Sequence, residues 1–198
     1  GSPCPSILER GETERFIELT HEKYARYLGG EFGSKPTDVN AYTASAFFAV
    51  DRFASFSTDW GKLYNDGGFI LSDRYTTSNA VHQGGKLPDS ELETFFEWLY
   101  DFEYVKIGLP VPDLVLYLDV DVETSLRRMH SRQVKTNTDA DIHEKDAAYL
   151  ANCLRVADKA ADFYGWTRID FKKNGVEREL EEKHDEIYSI IKSTLFSE

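Results

Sequence analysis

The chain has 198 residues, enough for one well-buried α/β domain and short for two. Its formal net charge of −12 excludes the basic footprint that a duplex backbone requires, so any phosphate site has to be local and built from a few arginines. Cys4 and Cys153 show no metal-ligand spacing, and no apolar run reaches the roughly 20 residues of a membrane span; the sequence reads as a reduced, cytoplasmic protein without leader, membrane or nucleic-acid partner.

The elements alternate along the chain. Residues Ile7 to Leu28 are polar and charged, with a moderate helical pattern. From Thr37 to about Tyr64, apolar residues recur at Val39, Tyr42, Ala46, Val50 and Phe53, which predicts a long helix stopped by Gly67 and Gly68. Phe69-Ile70-Leu71 reads as a buried strand. Pro88 and the capping box from Ser90 to Glu93 predict a second helix, with Leu92, Phe95, Phe96, Leu99 and Phe102 as its stripe and Gly108 as its end. Leu114 to Leu118 is an unbroken apolar run, the mark of a strand covered on both faces. A helix from about Val122 to Arg132 follows, then a polar loop over about 133–141, then a long helix carrying Ala147, Leu150, Leu154, Ala157, Ala161 and Tyr164. Trp166 to Phe171 reads as a third strand, and Leu180, Ile187, Tyr188, Ile191 and Leu195 stripe a final helix. Strands alternating with helices predict an α/β fold, a three-layer parallel sheet flanked by helices. Ligands then bind at the carboxyl ends of the strands.

Three stretches carry chemistry. Asp73 and Arg74 follow the first apolar run at that ligand-binding edge, where an acid can hold a Mg²⁺-bound water and a guanidinium can grip phosphate; an ion pair of purely structural value fits the dipeptide equally. Ser78 and Asn79 open the next helix, and an asparagine has the donor and acceptor needed to read a pyrimidine edge. Phe48 and Arg52 lie four apart on the first helix, an aromatic platform beside a guanidinium; the alternative is a core phenylalanine and a solvated arginine. Arg127, Arg128 and Arg132 precede the polar loop, as arginines that close over a triphosphate or as an ordinary basic helix end. His143, Glu144 and the other histidines have no ligand spacing, so no metal site is assigned beyond Asp73.

From Tyr27-Leu28-Gly29-Gly30 to the C-terminus these segments resemble the thymidylate kinases. "DRYTTSNAVHQ" is similar to that family's DRY segment, "FFAVDR" to its base-stacking helix, "LPVPDLVLYLDV" to the strand before its lid, and "SLRRMHSR" with "DIHEKD" to the lid itself. The resemblance implies a single kinase-type domain over 1–198 that moves the γ-phosphoryl of ATP, with Mg²⁺, onto dTMP to give dTDP, and it allows a homodimer. By the same resemblance Phe48 stacks on thymine, Arg52 bonds its O4, Ser78 and Asn79 face the base, Gln83 lines the pocket and Arg74 holds the acceptor phosphate. Asp73, Arg74, Arg128 and Arg132 would be the catalytic set. His82 stands where the family more often has an aromatic residue.

The family's fold is of the P-loop type, whose Gly-x-x-x-x-Gly-Lys-[Ser/Thr] cradles the donor phosphates. Gly61-Lys62 and Gly85-Lys86 are each followed by leucine, and Phe56 and Ala80 replace the earlier glycine. The expectation is therefore a thymidylate kinase domain without its N-terminal strand and P-loop, inactive alone. A non-catalytic nucleotide-binding regulator and a deoxynucleoside kinase are the two alternatives.

Overall fold

In the computed structural model, which describes residues 30–33, 35–121, 123–125, 127–128 and 147–196, the first long helix, α1, spans Ala41–Ser55. Asn40 caps it, its side-chain oxygen accepting from the Thr43 amide at 2.8 Å and so satisfying one of the donors a helix start leaves open. The helix widens into a π-type turn over Phe56–Trp60 and continues as α2, Gly61–Asn65, until Gly67 at φ 83° turns the chain out. The expected helical stretch is present, but its buried face differs. Ala41, Ala44, Ser45 and Ala49 point inward, whereas Tyr42, Val50 and Phe53 are exposed. A close helical neighbour selects the small-residue face.

That neighbour is α3, Thr77–Gly84, which also packs on α4, Asp89–Tyr100, and on α5, Ala147–Tyr164. The approach to α5 depends on two glycines. A Cβ at Gly84 would lie 2.9 Å from Val156 Cγ1 and one at Gly85 2.7 Å from Cys153 Sγ. Ala41, Ala80, Leu92, Phe95, Phe96, Leu99, Val156 and Ala160 form the core between these four helices. The expected capping box is not what starts α4. Pro88 is the N-cap, because its fixed φ and missing N–H suit the boundary, and Ser90 falls inside the first turn. Asp89 instead accepts from Lys159 at 2.6 Å and from Arg155. At its other end α4 runs into a second π-type turn, Asp101–Lys106, before Gly108 at φ 81°. Glu103, four residues past Leu99 on the same face, is fully buried, and Phe102 is half-buried at its margin.

Strand β1, Leu116–Asp119, pairs in parallel with β2, Thr167–Asp170, in the register Leu116 to Thr167 through Asp119 to Asp170. β1 is half-buried, not enclosed on both faces, and Leu118 is 48 % exposed. Phe69-Ile70-Leu71 is not a strand. It runs irregularly with Leu71 78 % exposed, because no strand among the described residues pairs with it and an unpaired strand leaves its backbone groups open. The described residues thus make a helix-rich α/β architecture with a small parallel sheet, less than the three-layer sheet expected. A hairpin of β3, Lys172–Lys173, and β4, Val176–Glu177, turns at Asn174 and Gly175, both at positive φ. The last helix, α6, is Leu180–Leu195, with Leu180 and Tyr188 exposed and Lys183 buried 3.5 Å from the Phe171 ring centroid. Residues 123–125 and 127–128 are helical as expected; the remainder of that helix to Arg132 and the loop 133–141 lie outside the described residues. No described helix is long and apolar enough to cross a membrane.

Three phenols tie these layers together. Tyr164 Oη donates to the Phe96 carbonyl at 2.7 Å, Tyr75 Oη to the Pro110 carbonyl at 3.0 Å, and the Tyr104 and Thr76 hydroxyls share a hydrogen bond. Burial pushes Tyr75 and Tyr164 well above the usual tyrosine range and Tyr104 up to about 12. Lys86, whose Nζ donates to the Val39 carbonyl at 2.9 Å, is pushed down by burial to about 8. Between about pH 8 and the ordinary lysine value the unfolded chain holds a proton that folded Lys86 has lost, so that group's contribution to stability rises with pH. The stability held by the three phenols is fully present below about pH 10 and is lost as pH rises through their folded values. Urea midpoints are expected to hold or rise from about pH 8 to 10 and to fall above that, with part of the phenolate absorbance appearing only on unfolding. Phenols that all titrate near pH 10 in the folded protein would contradict this burial.

Candidate functional site

The candidate site is organised by an acid that the reading of the sequence did not single out. Glu103, fully buried in the π-type turn after α4, accepts from Arg52 Nε at 2.8 Å through Oε2 and from Arg52 Nη2 at 3.0 Å through Oε1. Asn79 of α3 donates from Nδ2 to the same Oε1 at 2.7 Å and to the Ser45 carbonyl of α1 at 3.2 Å. One carboxylate therefore binds a side chain from α1 and one from α3, while its own backbone carbonyl accepts from the Leu109 amide at 3.0 Å. Two parallel bonds to a guanidinium are the strong, orienting form of such a pair. Its signal in the sequence was modest: an acid at the next i+4 position after Leu99 in an otherwise apolar stripe.

Phe48 lies one turn before Arg52 on α1, half-buried and packed with Val39 against Ala44. On α3, Asn79 and Gln83 are both buried and one turn apart, and Ser78 is half-buried beside them. Gln83 Oε1 and Ser45 Oγ are buried polar atoms with no hydrogen-bond partner among the described residues. A buried acceptor and a buried hydroxyl left this way favour a polar ligand or water at this seam between α1 and α3.

The segment before α3 is held from the same side. The Arg52 guanidinium lies 5.7 Å from the Tyr75 ring centroid, and Trp60 meets that ring edge-on at 6.1 Å. Tyr75 and Thr76 are in turn bonded to Pro110 and Tyr104, so the chain on either side of the π-type turn fixes the residues that follow Asp73 and Arg74. Arg74 adopts φ 69°, a left-handed conformation unusual for a residue with a Cβ, and the Ser72 hydroxyl donates to its carbonyl at 2.6 Å. Asp73 and Arg74 are exposed, and neither makes an ion pair among the described residues, which removes the purely structural pairing weighed for this dipeptide.

Arg128 does not join this cluster. Its guanidinium pairs with Glu177 of the hairpin and lies 4.3 Å from the Phe171 ring centroid, and Arg127 reaches the same carboxylate at 3.6 Å. Arg132, His143 and Glu144 lie outside the described residues.

Replacing Arg52 by alanine would leave the Glu103 carboxylate buried without its charged partner. Arg52→Ala is expected to lower folding stability by about 3–5 kcal/mol, far beyond the 0–1 kcal/mol of an exposed pair. Chemical denaturation checks this; a loss below about 1 kcal/mol would mean that the pair opens readily to water.

The sequence profile of the thymidylate kinase family matches residues 13–187. The chain is 31 % identical over 124 residues to the thymidylate kinase of Mycobacterium tuberculosis strain H37Rv, covering 62 % of this chain and 56 % of that protein. It is 28 % identical over 194 residues to a probable thymidylate kinase of Thermococcus kodakarensis, covering 98 % of this chain and 82 % of that one. Against a probable thymidylate kinase of Thermococcus onnurineus the identity is 32 % over 112 residues, with 57 % and 50 % covered. The chain thus spans about half the length of several of the curated relatives it matches. The chain belongs to the thymidylate kinase family.

Proposed function

We propose that these residues form the acceptor half of a cytoplasmic dTMP kinase, binding dTMP for transfer of the γ-phosphoryl of ATP and release of dTDP. The observation that carries the reading is the convergence of Arg52, one turn after Phe48 on α1, and Asn79 of α3 on one buried carboxylate. Phe48 supplies a face for the base, Arg52 and Asn79 supply its edge contacts, and Ser78 and Gln83 line the seam. Arg74, in its unusual backbone conformation and with no ion pair among the described residues, would take the 5′-phosphate.

The 198 residues contain no Gly-x-x-x-x-Gly-Lys-[Ser/Thr], so the donor cradle is assigned to none of them. Mg²⁺ arriving with ATP would meet this half at Asp73, whose exposed carboxylate is open to a metal-bound water; the ion neutralises charge on the group being transferred. Arg128 and Arg132 are assigned to the lid. For Arg128 that role requires release from Glu177, an exposed pair of small net strength that substrate charge can displace.

Calorimetric titration of dTMP and thymidine separates this reading from a deoxynucleoside kinase. Arg74→Ala is expected to weaken dTMP by about 1.5–3 kcal/mol, the value of a charge-assisted contact, and thymidine little. Arg128→Ala should leave both affinities unchanged. Equal losses for the two ligands in Arg74→Ala, or thymidine binding tighter than dTMP in the unaltered chain, would overturn the assignment.

A further inference from the structure

Asn79 is an amide whose two ends read opposite partners, and the structure leaves only one end available. Its Nδ2 carries two hydrogens, and both are used: one on Glu103 Oε1 at 2.7 Å and one on the Ser45 carbonyl at 3.2 Å. Neither partner can donate in return. The Ser45 carbonyl is an acceptor by construction, and the Glu103 carboxylate is already accepting two N–H bonds from Arg52. Turning the amide over would set Oδ1 lone pairs against two acceptors at a buried position and lose both hydrogen bonds. Asn79 therefore presents Oδ1, an acceptor. Arg52 presents only donors, because a guanidinium has no acceptor and its Nη1 is not spent on Glu103.

We infer that Glu103 is the positioning residue that sets the hydrogen-bonding polarity of the base site, acceptor at Asn79 and donor at Arg52, and so selects thymine or uracil against cytosine. The inference rests on the proposed dTMP site and deepens it. Thymine and uracil carry N3–H beside O4, donor then acceptor, and complement the pair. Cytosine carries an unprotonated N3 beside an amino group, which places acceptor on acceptor and donor on donor. A site that leaves buried polar groups opposed discriminates far more strongly than a difference in shape does. Glu103 touches neither base nor phosphate in this scheme. It acts through Asn79 and Arg52.

The test is a comparison of ratios. Binding of dTMP, dUMP and dCMP is measured by calorimetry on the full chain and on Glu103→Gln, with thermal unfolding of both. The unaltered chain should favour dTMP and dUMP over dCMP by at least about a hundredfold. In Glu103→Gln the new side-chain amide can donate to Asn79 Oδ1 and allow the inverted orientation, so the preference should shrink to about tenfold or less, with dTMP weakened and dCMP unchanged or improved. A purely structural Glu103 would lower both affinities together and keep their ratio. That result in a folded variant overturns the inference and leaves the dTMP reading intact. Should Glu103→Gln fail to fold, N3-methyl-dTMP on the unaltered chain carries the test: at least about tenfold weaker binding than dTMP supports an acceptor at Asn79, and equal binding overturns it. An unaltered chain that binds none of these nucleotides overturns the proposed function itself, and the inference with it.

Discussion

A carboxylate taken wholly out of water has to be matched by donors, because its desolvation is costly and a single unpaired buried charge is enough to unfold a marginal domain. Glu103 meets that constraint with two bonds from Arg52 and one from Asn79. The consequences spread outward from there. α1 and α3 have to lie close enough for Asn79 to reach both Glu103 and the Ser45 carbonyl, which the small face of α1 allows and a bulky face would prevent. The turn after α4 carries Glu103, four residues past Leu99, onto the buried face of that helix. Tyr75, under the Arg52 guanidinium, and Thr76, bonded to Tyr104, then fix the chain from which Arg74 projects.

In the proposed site, the contacts to base edge and phosphate would in this way be tied to one buried anion. The residues that stabilise the seam between α1 and α3 are the same ones that the proposal gives to the ligand. Substitutions there combine a stability effect with a binding effect, and only selective readouts separate the two. Arg128 is held differently. It rests on an exposed hairpin carboxylate, a pair of small net strength, whereas Arg52 is held where it cannot exchange without stranding Glu103.

Helical periodicity located α1, α4, α5 and α6, and the apolar runs located β1 and β2, because these patterns follow from which face each element buries. The faces themselves were less legible. On α1 the bulky residues at 42, 50 and 53 suggested a core stripe, but the distance to α3 favours alanine and serine, a tertiary requirement invisible in one helix. Phe69 to Leu71 has the composition of a strand and no described partner, and strand formation is decided by the partner. The hairpin is legible in Asn174-Gly175 between Lys173 and Val176, a two-residue turn signal. The DRY segment and the Phe48 to Arg52 spacing name two of the stretches that meet around Glu103. Glu103 was illegible because a carboxylate reads as a break in an apolar stripe, and the donors that satisfy it come from α1 and α3, distant in the sequence.

The central claim is that Glu103 holds Arg52 and Asn79 in one orientation ready for a pyrimidine edge. A crystal structure of the chain soaked with dTMP tests it most directly. The account predicts the base at the seam beside Phe48, with Asn79 Oδ1 within hydrogen-bond distance of N3, Arg52 within that distance of O4, and all three bonds to Glu103 retained. A base bound elsewhere, or Arg52 swung off Glu103 to reach it, would contradict the account.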